Sequence, residues 1–111
     1  MKLMISTQYM ENYGAHDWDG EGECPQYWKF KGGEEYFVRV GTATDVELLT
    51  NVVDSVRGEL EWDNPASRQY ILGWELVADD YMTEFEQSQL DYEGEIRHPA
   101  RYIESKLLEA A

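Results

Sequence analysis

The sequence predicts an α+β fold in which a small, mainly antiparallel sheet is packed by two or three helices. Three observations favour this class. The N-terminal segment alternates apolar and polar residues, two aromatic-rich segments flank a Gly-Gly pair within 27–40, and later segments place apolar residues at helical spacing. Clustered strands with helices after them are typical of α+β proteins. The chain of 111 residues has the length of one acidic globular domain, 1–111, which can bury a core without disulfides.

Residues 2–10 alternate in side-chain character and therefore predict the first strand. Residues 11–25 follow with four Gly or Pro residues, five acids and no base, which is typical of a long loop. One face of the strand would carry Leu3, Ile5, Thr7 and Tyr9.

The segment 27–40 predicts a β-hairpin. Gly32-Gly33 separates the aromatic-rich runs 27–31 and 34–40, and two adjacent glycines suit a tight type I′ turn. Pairing across that turn would set Lys31 opposite Glu34 and Trp28 opposite Phe37, and both pairs would be favourable.

The next segment predicts a helix. Thr44 and Glu47 have the spacing of a capping box, in which each side chain accepts a hydrogen bond from a backbone N–H of the first turn. Gly58 would end the helix, and residues 59–67, with Asn64-Pro65 as a turn signal, would form a loop. The core-facing side would carry Leu48, Leu49, Val52, Val53 and Val56.

Residues 69–78 predict a further strand, and its apolar character on both sides indicates a central position in the sheet. Residues 79–93 predict a helix with a capping box at Thr83 and Glu86 and an end at Gly94. Pro99 suits the first turn of a terminal helix. One face of the strand would carry Tyr70, Leu72, Trp74 and Leu76, and the terminal helix would carry Tyr102, Ile103, Leu107 and Leu108.

The net charge of the chain excludes more classes of function than any sequence motif does. The chain has 23 acidic against nine basic residues and a net charge of −14. Such a surface repels nucleic acid, whose binding depends on Lys and Arg, and anionic membranes, whereas it attracts basic protein surfaces. Cys24 is the single cysteine and the first residues contain no long apolar run, so we expect a reducing, cytoplasmic location.

The acids are concentrated in two tracts without Lys or Arg, one between Lys2 and Lys29 and one between Arg68 and Arg97. Ordinary surfaces intersperse the two signs, so rows of unpaired carboxylates could present negative charge as a phosphate backbone does. A solvated face that only promotes solubility is the alternative. The predicted partner-binding residues are Asp79, Asp80, Glu84, Glu86, Asp91, Glu93 and Glu95, assisted by Asp17, Asp19, Glu21 and Glu23.

A helix over 79–93 would align part of the second tract. Asp80 and Glu84 are four residues apart and would share a face. The apolar residues expected to turn inward and hold that face rigid are Met82, Phe85 and Leu90.

The loop at 16–24 offers an alternative, a divalent-metal-binding accessory or structural protein. Asp17, Asp19 and Glu21 stand at the first, third and fifth positions of a calcium-type loop, with Gly22 at the sixth. The bidentate Glu expected at the twelfth position is replaced by Trp28. We therefore predict no bound metal and no cofactor, and little stabilisation by calcium.

The sequence contains no pattern typical of an active site. Phosphate-binding loops, dinucleotide fingerprints and nucleophile elbows are absent. Cys24 has acidic neighbours, which disfavour a thiolate, and His98 precedes Pro99 and is expected at a helix entry. We predict that the protein is not an enzyme, and a small hydrolase is the alternative.

The segment Gln8–Gly20, continued to Gly33, resembles small uncharacterised proteins of tailed bacteriophages, and Asp79–Glu86 has the same character. In charge and size the chain is also similar to phage DNA-mimic proteins that inhibit restriction enzymes or CRISPR effectors. This resemblance implies an anti-defence inhibitor that binds a basic nucleic-acid-binding host protein in the host cytoplasm. It implies no catalytic residues.

Overall fold

The computed structural model describes residues 1–109, in which three helices and a curled mixed sheet confirm the α+β class. The strands are β1 (Lys2–Asn12), β2 (Trp28–Phe30), β3 (Glu35–Arg39), β4 (Trp62–Asp63), β5 (Ser67–Val77) and β6 (Arg101–Tyr102). The helices are α1 (Val46–Leu60), α2 (Glu84–Glu93) and α3 (Lys106–Glu109), and a 3₁₀ helix covers Tyr13–Asp17.

The sheet is built around β1, which is the first strand in the sequence. The strand order is β4-β5-β1-β3-β6, and β2 also pairs with β1. All neighbouring strands are antiparallel except β3 and β6. The mainly antiparallel sheet is thus confirmed. The central position predicted for the 69–78 strand is wrong for most of its length, because β4 pairs with β5 only at Arg68 and Gln69 and the rest of β5 is an edge of the sheet in residues 1–109.

The predicted hairpin at 27–40 is wrong, because β2 and β3 pair with β1 and not with each other. Phe30 lies opposite Met10 and Glu35 lies opposite Ser6, so four residues (31–34) face three residues (7–9) of β1. This extra residue is a β-bulge. Lys31 and Glu34 therefore follow one another along one edge of β1.

The Gly-Gly pair serves this bulge. Gly32 has a φ of +85°, which L side chains rarely adopt. A Cβ on Gly33 would lie 1.8 Å from the carbonyl oxygen of Thr7 on the neighbouring strand. The two glycines are thus needed for positive φ and for close approach, which are also the properties that a tight turn requires.

Helix α1 packs across one face of the sheet, against Leu3 and Ile5 of β1. The helix continues past Gly58 to Leu60, and Asp45, not Thr44, is its N-cap, with the side chain accepting a hydrogen bond from the Glu47 N–H. The predicted core residues are confirmed except for the half-buried Leu48, and Leu60 joins them; the buried set is Leu49, Val52, Val53, Val56 and Leu60.

A second bulge changes the expected face pattern of β5. Ser6 pairs with Gly73 and Thr7 pairs with Ile71, which leaves Leu72 as the extra residue. As a result Ile71, Trp74 and Leu76 turn toward α1, whereas Tyr70 and Leu72 turn away. The single face predicted for Tyr70, Leu72, Trp74 and Leu76 is therefore wrong, and the residues packed against the core are Ile71, Trp74 and Leu76.

The segments before and after α2 also differ from the predictions. Residues 59–67 form the end of α1 and a short hairpin, in which Asn64 accepts hydrogen bonds from the N–H groups of Ala66 and Ser67. Residues 79–82 are not helical, although the Thr83–Glu86 capping box and the left-handed Gly94 end are confirmed. The helix expected from Pro99 is replaced by β6, and only α3 is helical.

The predicted loop 11–25 is shorter and more ordered than expected, because β1 reaches Asn12 and the 3₁₀ helix follows. Asn12 is fully buried. Its amide nitrogen donates to the carbonyl oxygens of Pro25 (2.8 Å) and Pro65 (2.9 Å), and its oxygen accepts from the N–H groups of Gly14 and Tyr27. One side chain thus joins three chain segments.

Candidate protein-binding surface

The second acidic tract does not lie on one helix. Asp79 and Asp80 stand in the turn after β5, and Asp79 is 3.0 Å from the N-terminal ammonium group. The shared helical face expected for Asp80 and Glu84 is therefore wrong. The carbonyl of Tyr81 accepts a 2.7 Å hydrogen bond from Lys2 Nζ, which anchors residues 79–82 to β1 in a non-helical conformation.

Three members of this tract have partners within it or just after it. The Glu86 carboxylate accepts a hydrogen bond from the Thr83 N–H at 3.1 Å and another from the Ala100 N–H at 3.3 Å. Glu93 and Glu95 lie 3.8 and 3.0 Å from the Arg97 guanidinium. The expectation of unpaired carboxylates is thus wrong for Glu93 and Glu95, whereas Glu86 is bound by backbone N–H groups and by no base.

Of the seven acids predicted in this tract, three have neither an ion pair nor a hydrogen bond from the backbone in residues 1–109: Asp80, Glu84 and Asp91. All three are exposed, and Asp91 accepts a 3.0 Å hydrogen bond from the Gln87 side chain one helical turn earlier. They are the members of the predicted set that are free to meet a partner.

The apolar anchor predicted for α2 is largely absent. Phe85 is 62% exposed and Met82 is 37% exposed, and only Leu90 is half-buried. The helix is instead held by the buried Gln89, whose oxygen accepts hydrogen bonds from the N–H groups of Arg97 (3.0 Å) and His98 (2.7 Å). A helix with this polar anchor differs from the rigid apolar support that the sequence indicated.

The first tract lies at the other end of β1. Asp17 ends the 3₁₀ helix, and Asp19, Glu21 and Glu23 follow in an exposed loop. None of the four forms an ion pair with a described side chain. The 11 residues of β1 place Asp79 and Asp80, beside its first residues, roughly 30 Å from Asp17 at the usual rise per strand residue. These acidic positions are therefore separate, one near each end of β1.

The loop 16–24 has the geometry of a turn. The Asp19 carboxylate accepts a 2.9 Å hydrogen bond from the Glu21 N–H. Within residues 1–109 no group of three or more His, Cys, Asp or Glu side chains is arranged to hold a metal ion. Asp17, Asp19 and Glu21 thus gain no support as a metal site.

Several basic side chains lie over aromatic rings, a feature that the sequence analysis missed. Lys2 is buried with Nζ 4.4 Å from the centre of the Phe37 ring, and Lys31 lies over Tyr13 at 4.7 Å. Cations over aromatic faces are attracted by the ring quadrupole. Five basic residues have such contacts: Lys2, Lys29, Lys31, Arg39 and Arg68.

None of the helices in residues 1–109 has the length and apolar character needed to cross a bilayer. Comparison with models of known protein families, with curated proteins and with solved structures found no match to this chain.

Proposed function

We propose that the protein is an inhibitor that imitates nucleic acid and occupies the basic surface of a nucleic-acid-binding host protein. One observation carries the proposal. Ion pairs within the described residues engage seven carboxylates, against 23 acids in the chain. Most of the acidic charge is therefore left for an external partner.

The positions of the basic side chains explain why the acidic charge is not neutralised within the protein. Lys2, Lys29, Lys31 and Arg39 lie over aromatic rings and form no ion pair in residues 1–109. A fold that needed only solubility would gain from interspersed charges of both signs. Here the bases stabilise the aromatic packing, and the surface field stays negative.

An acidic site at each end of the sheet suits a target that normally follows a nucleic-acid backbone. A basic groove for duplex DNA binds regularly spaced phosphates and gains affinity by counterion release. Carboxylates at two separated positions can contact such a groove at two points, and the field between them steers association. The bacteriophage resemblance implies that the target is a restriction or CRISPR effector in the host cytoplasm.

The test is a competition assay. The protein should displace a fluorescent DNA duplex from purified restriction and CRISPR effectors, and the displacement should weaken steeply as salt is raised. Direct binding of the protein to the duplex should not be detected. Failure to displace DNA from any effector at low salt would contradict the proposal.

A pair of charge reversals sharpens the assay. Asp80→Lys with Glu84→Lys should reduce displacement, mainly by slowing association, because both side chains are exposed and unpaired. The matched control is Glu47→Lys with Glu59→Lys on α1, which makes the same change in net charge at two other exposed acids. Equal losses of displacement in the two variants would indicate that binding depends only on the net negative charge, and would exclude a binding site at α2.

A further inference from the structure

The sheet has two unlike faces. Helix α1 covers the face that carries Leu3 and Ile5. Side chains alternate along a strand, so Met4, Ser6 and Gln8 lie on the opposite face. The shortest extent of the molecule is 18 Å, which corresponds to one sheet and one helix layer, since a helix alone is about 10 Å wide. Within residues 1–109, no second helix layer covers the opposite face.

Only one end of this second face is protected. Met4 is 8% exposed and Phe37 is fully buried. The rings of Tyr81 and Tyr102 lie 6.2 and 5.5 Å from the Phe37 ring and cover it. The remaining part, which we call the open face, consists of Ser6, Gln8, Met10, Phe30, Glu35, Tyr70, Leu72 and Glu75.

Large apolar side chains are exposed on the open face. Phe30 lies opposite Met10 across β2 and β1, and Tyr70 lies opposite Gln8, to which its hydroxyl donates a 2.7 Å hydrogen bond. Phe30 and Leu72 are each 60% exposed, and Tyr70 is 36% exposed. Aromatic and aliphatic side chains gathered in this way are typical of the centre of a protein interface.

Two carboxylates border these side chains. Glu35 lies opposite Ser6 on β3, and Glu75 lies opposite Met4 on β5. Both are exposed, and neither forms an ion pair with a described side chain. Because β3 and β5 flank β1 and the two positions are offset by two residues along it, the carboxylates lie two strand spacings apart across the sheet and about 7 Å apart along it, roughly 12 Å in all.

Arg68, opposite Met10, is the cation next to the open face, and it is already engaged. Arg68 is 2.8 Å from the Asp63 carboxylate, and its guanidinium lies 4.0 Å from the centre of the Trp28 ring. Lys29, between Trp28 and Phe30 in sequence, points to the other face and lies over Tyr13. The open face therefore presents rings and carboxylates without a free base.

We propose that the open face is the contact surface for an arginine-bearing segment of the basic partner. This inference rests on the proposed function and names its interface. One guanidinium of such a segment can stack on Phe30 or Tyr70 while another forms a forked pair with Glu35 or Glu75, since ring and carboxylate on the same side of β1 lie four residues, about 13 Å, apart. A lysine ammonium makes only a point contact. A second copy of the chain is disfavoured as the occupant, because two copies would oppose the same carboxylates at a charge of −14 each.

The experiment is an amide chemical-shift titration of the isotope-labelled protein with an oligoarginine peptide and an oligolysine peptide of equal length. Oligoarginine should perturb the amides of the open face, and oligolysine should do so more weakly. Larger shifts confined to α2 or to residues 17–23 would overturn the inference and leave the proposed function standing. No shift with either peptide at low salt would count against both this inference and the proposed function.

Two matched pairs of variants complete the test. Phe30→Ala should weaken oligoarginine binding by about two- to fivefold, the value expected for an exposed cation–π contact. Tyr92→Ala is the control, because Tyr92 is an exposed aromatic residue of α2, whereas Phe85 lines the same cavity as Glu35. Glu35→Gln with Glu75→Gln should weaken binding more than Glu84→Gln with Asp91→Asn, which removes the same charge. Equal effects within either pair would overturn the inference, and circular dichroism would confirm that each variant is folded.

A concentration-dependent change in the amide chemical shifts of the open face, without peptide, would identify a second copy of the chain as the occupant. That result would also overturn the inference.

Discussion

Helices α1 and α2 differ in how they are attached to the rest of the molecule. Helix α1 buries five apolar side chains between Leu49 and Leu60. Helix α2 buries only Gln89 and leaves Phe85 and Tyr92 exposed by 62% and 89%. Burial of apolar surface stabilises the folded state by about 25 cal/mol per Å², and five buried side chains remove a large apolar area from water. The hydrogen bonds of one glutamine contribute less in total, since each is worth about 1 kcal/mol net. The difference indicates that α1 belongs to the stable core and that α2 can open locally.

The largest expected effect on the free energy of unfolding comes from truncating a buried side chain of α1. Leu49→Ala should lower the free energy of unfolding by about 2–5 kcal/mol, the range for deleting a buried leucine side chain. Phe85→Ala on α2 should change it by less than about 0.5 kcal/mol, as is usual for surface positions. Urea denaturation followed by circular dichroism measures both. Similar losses would mean that α2 packs more tightly than the exposure of Phe85 indicates.

A smaller and local effect is expected at Gln89. Gln89→Ala leaves the N–H groups of Arg97 and His98 without their acceptor, which should lower the opening free energy of α2 by about 1–3 kcal/mol. Hydrogen exchange should show faster exchange of the α2 amides and unchanged protection in α1. Loss of protection in both helices would show that they unfold as one unit, contrary to the comparison.

The smallest effect is expected at Glu61, where α1 ends. The hydrogen bond from the Ile71 N–H, aided by Arg57, holds the pKa of Glu61 below its ordinary value of 4.5. A lowered pKa in the folded state stabilises the protein above the ordinary pKa, and this contribution is lost as the pH falls through the folded-state pKa. Wild type should therefore exceed Glu61→Gln in stability near neutral pH, and the two should converge in acid. A stability difference that does not depend on pH would contradict this origin.

The elements predicted correctly are those fixed by local periodicity. The alternation of residues 2–10 and the helical spacing from Leu49 to Val56 are properties of single segments, and both elements formed as expected. The Gly32-Gly33 pair is different, because positive φ and close approach suit both a turn and a bulge. The choice depends on β1, whose length offers both β2 and β3 a partner, and no feature near the glycines encodes that length.

The candidate site was less predictable because it depends on contacts between distant residues. Asp79 pairs with the N-terminal ammonium, and the open face joins Phe30 of β2 to Tyr70 and Leu72 of β5. The bulge at Leu72 moves Trp74 to the covered face, so counting alternate residues from Tyr70 gave the wrong set. Acidic tracts are visible in a sequence, but their partners are visible only after folding.

The position of β1 has a consequence for how the chain folds during synthesis. This strand leaves the ribosome before its neighbours β3 and β5, which extend to Arg39 and Val77, and Lys2 Nζ donates to the Tyr102 hydroxyl at 2.8 Å. On the side that β5 covers, β1 must therefore wait, with its apolar residues unpaired, until residues up to Val77 have been made. Contacts of such long sequence separation also slow folding. The nascent chain should therefore gain from chaperone protection during this interval.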